Sequence, residues 1–431
     1  MNVLKAILKH EVYPAMGCTE PVSCAYAAAI AAECLAEPVR RLTLKADLGT
    51  FKNGAAVTVP HSEGAKGNLI AAAMGAMLAR SAGQLELLKE VTPSVHARAR
   101  ALIAENRCDY ACMEGERAFR VEVSVSGASH TARCVLQGGH TDVEVVERDG
   151  EPVRSRGPEQ AATGQAGYRA ILKSMSLTDV VETACRLDEA DRRAVREGID
   201  MNLAMADRGT EARGAAFQLR RMKEQGILSE DLFYRVKVRV ASAVDARMAG
   251  TPQAVMTSGG SGNQGVVAIL TPYLVGQAQG VAMERIEESI AVAHATNAYI
   301  KCYLGELSAI CGCAIAAGIA ASVAIVYQRS GVDPRKITFA VSNVIGDLSG
   351  LVCDGAKPGC AMKTVTSVDA AMRAAFMAVE GYGLSDDDGM IGRTAEDSIR
   401  NLGRLSLNGM RQVDPTVVDI LVGKAGGASQ R

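Results

Sequence analysis

Strict alternation of apolar and polar positions is confined to a few stretches of this chain. In 39–49 (VRRLTLKADLG) and 54–60 (GAAVTVP) the period is two and the residues are Val, Leu and Thr, which predicts strands. Between them lies FKNGA, whose Asn53-Gly54 pair predicts a hairpin turn. Three further period-two runs fall in 119–146, separated by Ser-Gly and Gly-Gly turns, and predict a small antiparallel sheet. Alanine-dense segments at 25–35 and 67–82 predict helices, the first ended by Glu37-Pro38. The mixed Gly, Pro, Gln and charged stretch 148–167 predicts a linker, and from Tyr168 onward nearly everything carries a helical pattern. Ser176 with Asp179 predicts a capping box, and Asp414-Pro415 an N-cap followed by a first-turn proline.

The expected fold is therefore α+β. Residues 1–165 would form a mixed helix and antiparallel-sheet part, and 166–431 a largely helical part. Two domains also suit 431 residues, since single cores stop growing at roughly 250–300.

Composition narrows the partners. Only 4% of residues are aromatic, none is Trp, and 43 are Gly, so the helices are expected to pack through small side chains. A formal net charge of -1 gives no reason to expect nucleic acid or an anionic membrane surface as partner, and a small molecule is expected instead. Residues 307–327 carry no charged side chain and are long enough to span a bilayer. However, Ala, Gly, Ser and Cys dominate, so a buried core helix is expected rather than a membrane span. The first nine residues are amphipathic and do not resemble a secretory signal. A reducing cytoplasm is expected, in which the twelve cysteines remain thiols. The Ala/Gly-faced helices make a homodimer a reasonable expectation.

Most of these cysteines need only a packing role, among them Cys24, Cys34, Cys134 and Cys185. Cys108 and Cys112 form a weak C-x3-C pattern with no second pair. Two C-terminal groups differ, CGCAIAAG at 311–318 and CDGAKPGC at 353–360, because glycines beside thiols allow backbone and metal cluster to approach closely. Spacing alone leaves two readings open, a zinc ion on Cys311, Cys313, Cys353 and Cys360, or an iron–sulfur cluster. The loop TSGGSGNQG at 257–265 opens a helix, and its free N–H groups suit a carboxylate or phosphate.

MGCTEPVS, FKNGAAVTVP, SGGSGNQG, LSAICGCAIAAG and CDGAKPGCAMK, in this order from about residue 10 to 410, together resemble the L-cysteine desulfidase family. That family is related to the alpha chain of iron–sulfur L-serine dehydratases. The resemblance implies a [4Fe–4S] cluster on Cys313, Cys353 and Cys360 with one iron open to substrate, Cys311 as a neighbour, Cys18 as the base, and no pyridoxal phosphate. It implies α,β-elimination of L-cysteine to hydrogen sulfide, pyruvate and ammonia, with Cys18 acting as a thiolate of lowered pKa. The substrate carboxylate would then meet Ser258, Gly259, Gly260, Ser261, Gly262, Asn263 and Gln264, with Lys357 beside it. Asn297, Lys301 and Glu306 precede CGC on a helix, and their reach is undecided by spacing. HSEGAKG after VTVP departs from the family pattern and puts His61 in an unusual place, expected to be a surface loop; His140 is expected to be structural. The same machinery acting on L-serine or another β-substituted acid is the alternative activity. A zinc or cluster protein that only binds an amino acid is the alternative of a different class.

Overall fold

The computed structural model describes residues 2–157 and 165–428. In the N-terminal half, strands β2 (Arg41–Asp47), β3 (Cys108–Met113), β4 (Arg120–Ser126), β5 (Thr131–Gln137), β6 (Val143–Arg148) and β7 (Glu151–Ser155) form one sheet in the order β3-β2-β4-β5-β6-β7. The run 119–146 supplies β4, β5 and β6, each paired antiparallel with its neighbour. The sheet is mixed rather than wholly antiparallel, because β2 pairs parallel with β3. The helices lying between these two strands in sequence provide the crossover that a parallel pair needs.

Helix α2 (Thr19–Leu35) crosses the inner face of this sheet and packs on α4 (Asn68–Leu78). Buried Leu42, Leu44, Val121, Val123, Val125, Cys134 and Leu136 alternate with outward positions and face the alanines of α2 to form the first core.

Three expectations fail here for local reasons. Residues 48–54 form a short helix, α3 (Leu48–Gly54), because Asp47 caps it: its Oδ1 accepts from the Thr50 N–H at 3.0 Å. Asn53-Gly54 therefore ends a helix and makes no hairpin. The following 54–60 stretch stays outside the sheet, joined only by an isolated bridge between Thr58 and Lys66. The expected linker 148–167 contains β7, whose five residues are all exposed, so that its composition resembles that of a loop although it pairs with β6. The rest of that stretch includes 158–164, outside the described residues.

The second core is helical. Its centre is the helix Ala316–Ser330, buried from Ala316 to Gln328, with the helices Gly262–Ala278, Met283–Leu304, Pro334–Leu348 and Cys360–Val379 around it. The uncharged stretch 307–327 is thus part cysteine loop and part core helix, and among the described residues no helix is long and apolar enough to cross a membrane. Helix α1 (Val3–Glu11) belongs to this core through Val3, Leu4 and Ile7, as do Cys18 and Val57. Among the described residues one strand interrupts the helical half, β8 (Ala254–Met256). Ser176 and Asp179 form the capping box. The last helix, Val413–Ala428, begins one residue before Asp414, whose carboxylate bonds Lys52 Nζ at 2.7 Å instead of capping.

Candidate active site

Two short backbone pairings gather the distant motifs. Strand β1 (Pro14–Met16) runs antiparallel to β8, with Ala15 opposite Val255, which sets the turn after β1 against the loop after β8. The Thr257 hydroxyl donates to the Glu11 carbonyl at 3.0 Å, and the Gly260 N–H to the same carbonyl at 3.0 Å. On the other side, Ile310 bridges Val352, the Cys353 N–H donates to the Ala309 carbonyl at 2.7 Å, and the Cys311 N–H to the Leu351 carbonyl at 2.9 Å. This bridge brings CGC beside CDGAKPGC. The four segments surround one cavity of about 70 Å³, lined by Cys18, Ser261, Asn263, Gln264 and the thiols of Cys311, Cys313, Cys353 and Cys360. It has room for several water-sized groups, the scale of a small amino acid.

Cys18 is the N-cap of α2, but its thiol caps nothing: it donates to Glu20 Oε2 at 2.9 Å. Glu20 also accepts from Thr19 Oγ1 at 3.2 Å and, through Oε1, from Asn53 Nδ2 at 3.0 Å. Burial works to raise the Glu20 pKa, yet His140 and the hydrogen bonds from Cys18 and Asn53 hold it below the usual glutamate value. The expected low-pKa thiolate at Cys18 is overturned. Burial first, then the Glu20 carboxylate, push this thiol well above its ordinary value, against the opposing pull of Arg247. Cys18 is thus a thiol hydrogen-bonded to a carboxylate.

The glycine loop divides its residues. Ser261, Asn263 and Gln264 line the cavity. Ser258 is fully buried beneath it, with its hydroxyl 3.0 Å from His294 Nδ1 and 3.1 Å from Asn297 Nδ2, and holds the loop in shape. The Gly259 carbonyl accepts from Lys301 Nζ, Gly260 lies against Tyr13 and His140, and Gly262 against Arg247. Lys301 also pairs with Glu306 at 2.7 Å, and Glu306 with Arg169 at 2.8 Å; Lys301 and Glu306 both line the cavity. Lys357 is not on the wall: it bonds Asp354 and the Gly355 carbonyl, while Lys363 lines the cavity. His61, at φ 58° in an exposed turn, is also outside the lining.

The thiols suit a soft metal group. Their own contacts are long and weak, Cys353 Sγ to Asn53 Oδ1 and Cys360 Sγ to the Gly355 carbonyl both at 3.7 Å. Hydrogen bonding from Cys313 holds Cys311 low, and burial raises Cys353 and Cys360. Lys52 bonds the Cys353 carbonyl at 2.9 Å and Lys363 the Val352 carbonyl at 2.7 Å, so two ammonium groups lie close to where thiolate charge would develop. Gly355, at φ 94°, turns the loop back: a Cβ there would stand 2.5 Å from the Lys52 carbonyl oxygen. Among the described residues no three His, Cys, Asp or Glu side chains converge on a point that would hold one ion.

Sequence reasoning left Glu20 out of the site although it lies inside MGCTEPVS, two residues after Cys18. His140, expected to be structural, lies in the turn after β5, is 4% exposed, and lines the cavity with Nε2 unpartnered. Burial lowers its pKa. Arg247, near the end of the helix Leu232–Met248, carried no local signal at all.

Comparison with known proteins identifies the family of the chain. A UPF0597 protein of Geobacter sulfurreducens is 45% identical over 98% of this chain and 99% of its own length, and one of Elusimicrobium minutum 44% identical over the same shares. A UPF0597 protein of Caldanaerobacter subterraneus is 35% identical over 98% of both chains. The family model described as serine dehydratase alpha chain matches residues 82–419, a span that includes the glycine loop and both cysteine motifs, and the chain belongs to that family.

Proposed function

We propose that this protein is an iron–sulfur-dependent lyase that eliminates the β-substituent of a small amino acid, with L-cysteine as substrate. The observation that carries this reading is the single cavity shared by the Cys18–Glu20 pair, the glycine loop and the thiols of Cys313, Cys353 and Cys360. Those three cysteines would hold a [4Fe–4S] cluster, which when bound supplies a Lewis-acidic iron for the departing group.

The residues of the chain account for the proton. Cys18 takes the Cα proton as its own thiol proton passes to Glu20, which the 2.9 Å hydrogen bond already directs. The Cα–H electron pair forms the Cα=Cβ bond and the C–S bond breaks, releasing sulfide. The enamine that remains tautomerises to an imine, and water hydrolyses it to pyruvate and ammonia. Burial keeps bulk water from Cys18 and Glu20, so the pair transfers protons only with what enters the cavity. L-serine, losing its hydroxyl as water by the same route, is the second reading, favoured by the description of the family.

The test is anaerobic purification, determination of iron, zinc and acid-labile sulfide, and assay of sulfide and pyruvate release from L-cysteine and L-serine in parallel. About four irons and four sulfides per chain with sulfide release supports the reading. Pyruvate from L-serine alone moves the substrate. Zinc without labile sulfide and no turnover ends it.

A further inference from the structure

Three cationic side chains are buried among the described residues: Lys52, Lys301 and Arg247. Lys52 is paired with Asp414 and Lys301 with Glu306, but Arg247, 2% exposed, forms no ion pair. Its Nη1 donates to Asn263 Oδ1 at 2.9 Å and its Nη2 to the Gly17 carbonyl, both neutral groups, and its buried Nε has no partner. A buried guanidinium without a counter-charge is costly, and a fold that keeps one next to a cavity has a place for an anion.

The second observation is independent of the arginine. Ser261 is the N-cap of the helix Gly262–Ala278, yet its side chain makes no capping bond, so the first turn directs free N–H groups and the positive dipole end at the same cavity wall. Guanidinium and helix end are pressed together: a Cβ on Gly262 would stand 2.4 Å from Arg247 Nε. Two positive ends in contact repel, and an anion in the cavity that both line would offset that repulsion. Through Gly17 the same guanidinium grips the turn that carries Cys18.

We propose that Arg247 is the anchor for the substrate's α-carboxylate, with the Gly262 helix end as its second donor. The inference rests on the elimination reading only for the identity of the acid. It implies that a free carboxylate is obligatory and that amides, esters and peptide-linked residues are rejected. It also directs the Cα of the bound acid towards the part of the cavity that Cys18 lines.

The experiment uses the cluster-loaded protein under anaerobic conditions and two unreactive probes, L-alanine and L-alaninamide, measured by calorimetry for wild type, Arg247→Lys and Arg247→Gln, with melting temperature and iron content recorded for each. Wild type should bind L-alanine at least about 30-fold tighter than the amide. Arg247→Gln should lose that preference, and Arg247→Lys, which keeps the charge, should retain part of it. Wild type that treats both probes alike overturns the proposal, as does a folded Arg247→Gln that still prefers the carboxylate. If Arg247→Gln does not fold, Arg247→Lys decides: an undiminished carboxylate preference together with an unchanged KM overturns the proposal, and a reduced preference supports it. Arg247-dependent binding without turnover of L-cysteine or L-serine would sink the elimination reading and leave the anchor standing. Turnover with an unaltered preference in Arg247→Gln does the reverse.

Discussion

Replacing Glu20 by Gln keeps the shape of the side chain and removes the charge that receives the Cys18 proton. Glu20 is buried and accepts three hydrogen bonds, from Cys18, Thr19 and Asn53, at 2.9, 3.2 and 3.0 Å. The amide retains one acceptor and cannot take a proton. Positioned general acid–base groups contribute about 100- to 10,000-fold, so kcat/KM for L-cysteine should fall by about that factor, a barrier higher by roughly 3–5 kcal/mol. The pH profile separates the two possible bases. With Glu20 as acceptor, activity requires its carboxylate, held below the ordinary glutamate value, so kcat/KM should be level across neutral pH and fall only on the acid side. In Glu20→Gln the Cys18 thiolate is the remaining base. Its pKa stays raised by burial, so the residual rate should climb about tenfold per pH unit through the neutral and mildly alkaline range. Sulfide and pyruvate release, read with the visible spectrum and melting temperature, distinguish this from loss of fold or cofactor. A Glu20→Gln protein with wild-type kcat/KM and a level profile refutes the relay.

Cys313→Ser, Cys353→Ser and Cys360→Ser should each lower bound iron and labile sulfide, whereas Cys18→Ala should keep both and lose turnover; elemental analysis beside the activity assay checks this pattern. His294 is held neutral by burial, its pKa lowered from 6.5 to about 4, so the stability this provides is complete above pH 6.5 and is lost as pH falls towards 4. The loss over that window is roughly 3 kcal/mol, and the pH dependence of chemical denaturation should flatten in His294→Gln. Gly355→Ala places a Cβ at φ 94° and 2.5 Å from the Lys52 carbonyl, so it should cost at least about 1–2 kcal/mol in the loop and reduce iron retention in a protein that still folds.

The strands between 119 and 148 were readable because one face is buried and the other is not, and their alternation survives in the side chains. The helix at 48–54 was not, because Asn53-Gly54 suits a hairpin and only Asp47 as cap decides otherwise. Strand β7 was hidden by its exposure on every residue. At the site, the cysteine and glycine motifs were legible because thiols and glycines are unusual in such clusters. Their convergence was not, since it depends on a three-residue strand pair and a single bridge. Arg247 illustrates the limit. An arginine near a helix end ordinarily marks a solvated surface, and only burial without a counter-charge identifies it as something else.

The clamp of Lys52 on the Cys353 carbonyl has a consequence for biogenesis. These residues are 301 positions apart, and the acid that completes the clamp, Asp414, lies 362 positions from Lys52. Contacts between residues so far apart in sequence require both segments to have been made, and the closure entropy of the long loop opposes them. A nascent chain that has not reached residue 414 lacks the carboxylate that completes the Lys52 clamp on the thiol loop. Under the cluster reading, loading of the thiols is therefore expected only once the helix Val413–Ala428 that carries Asp414 has been made.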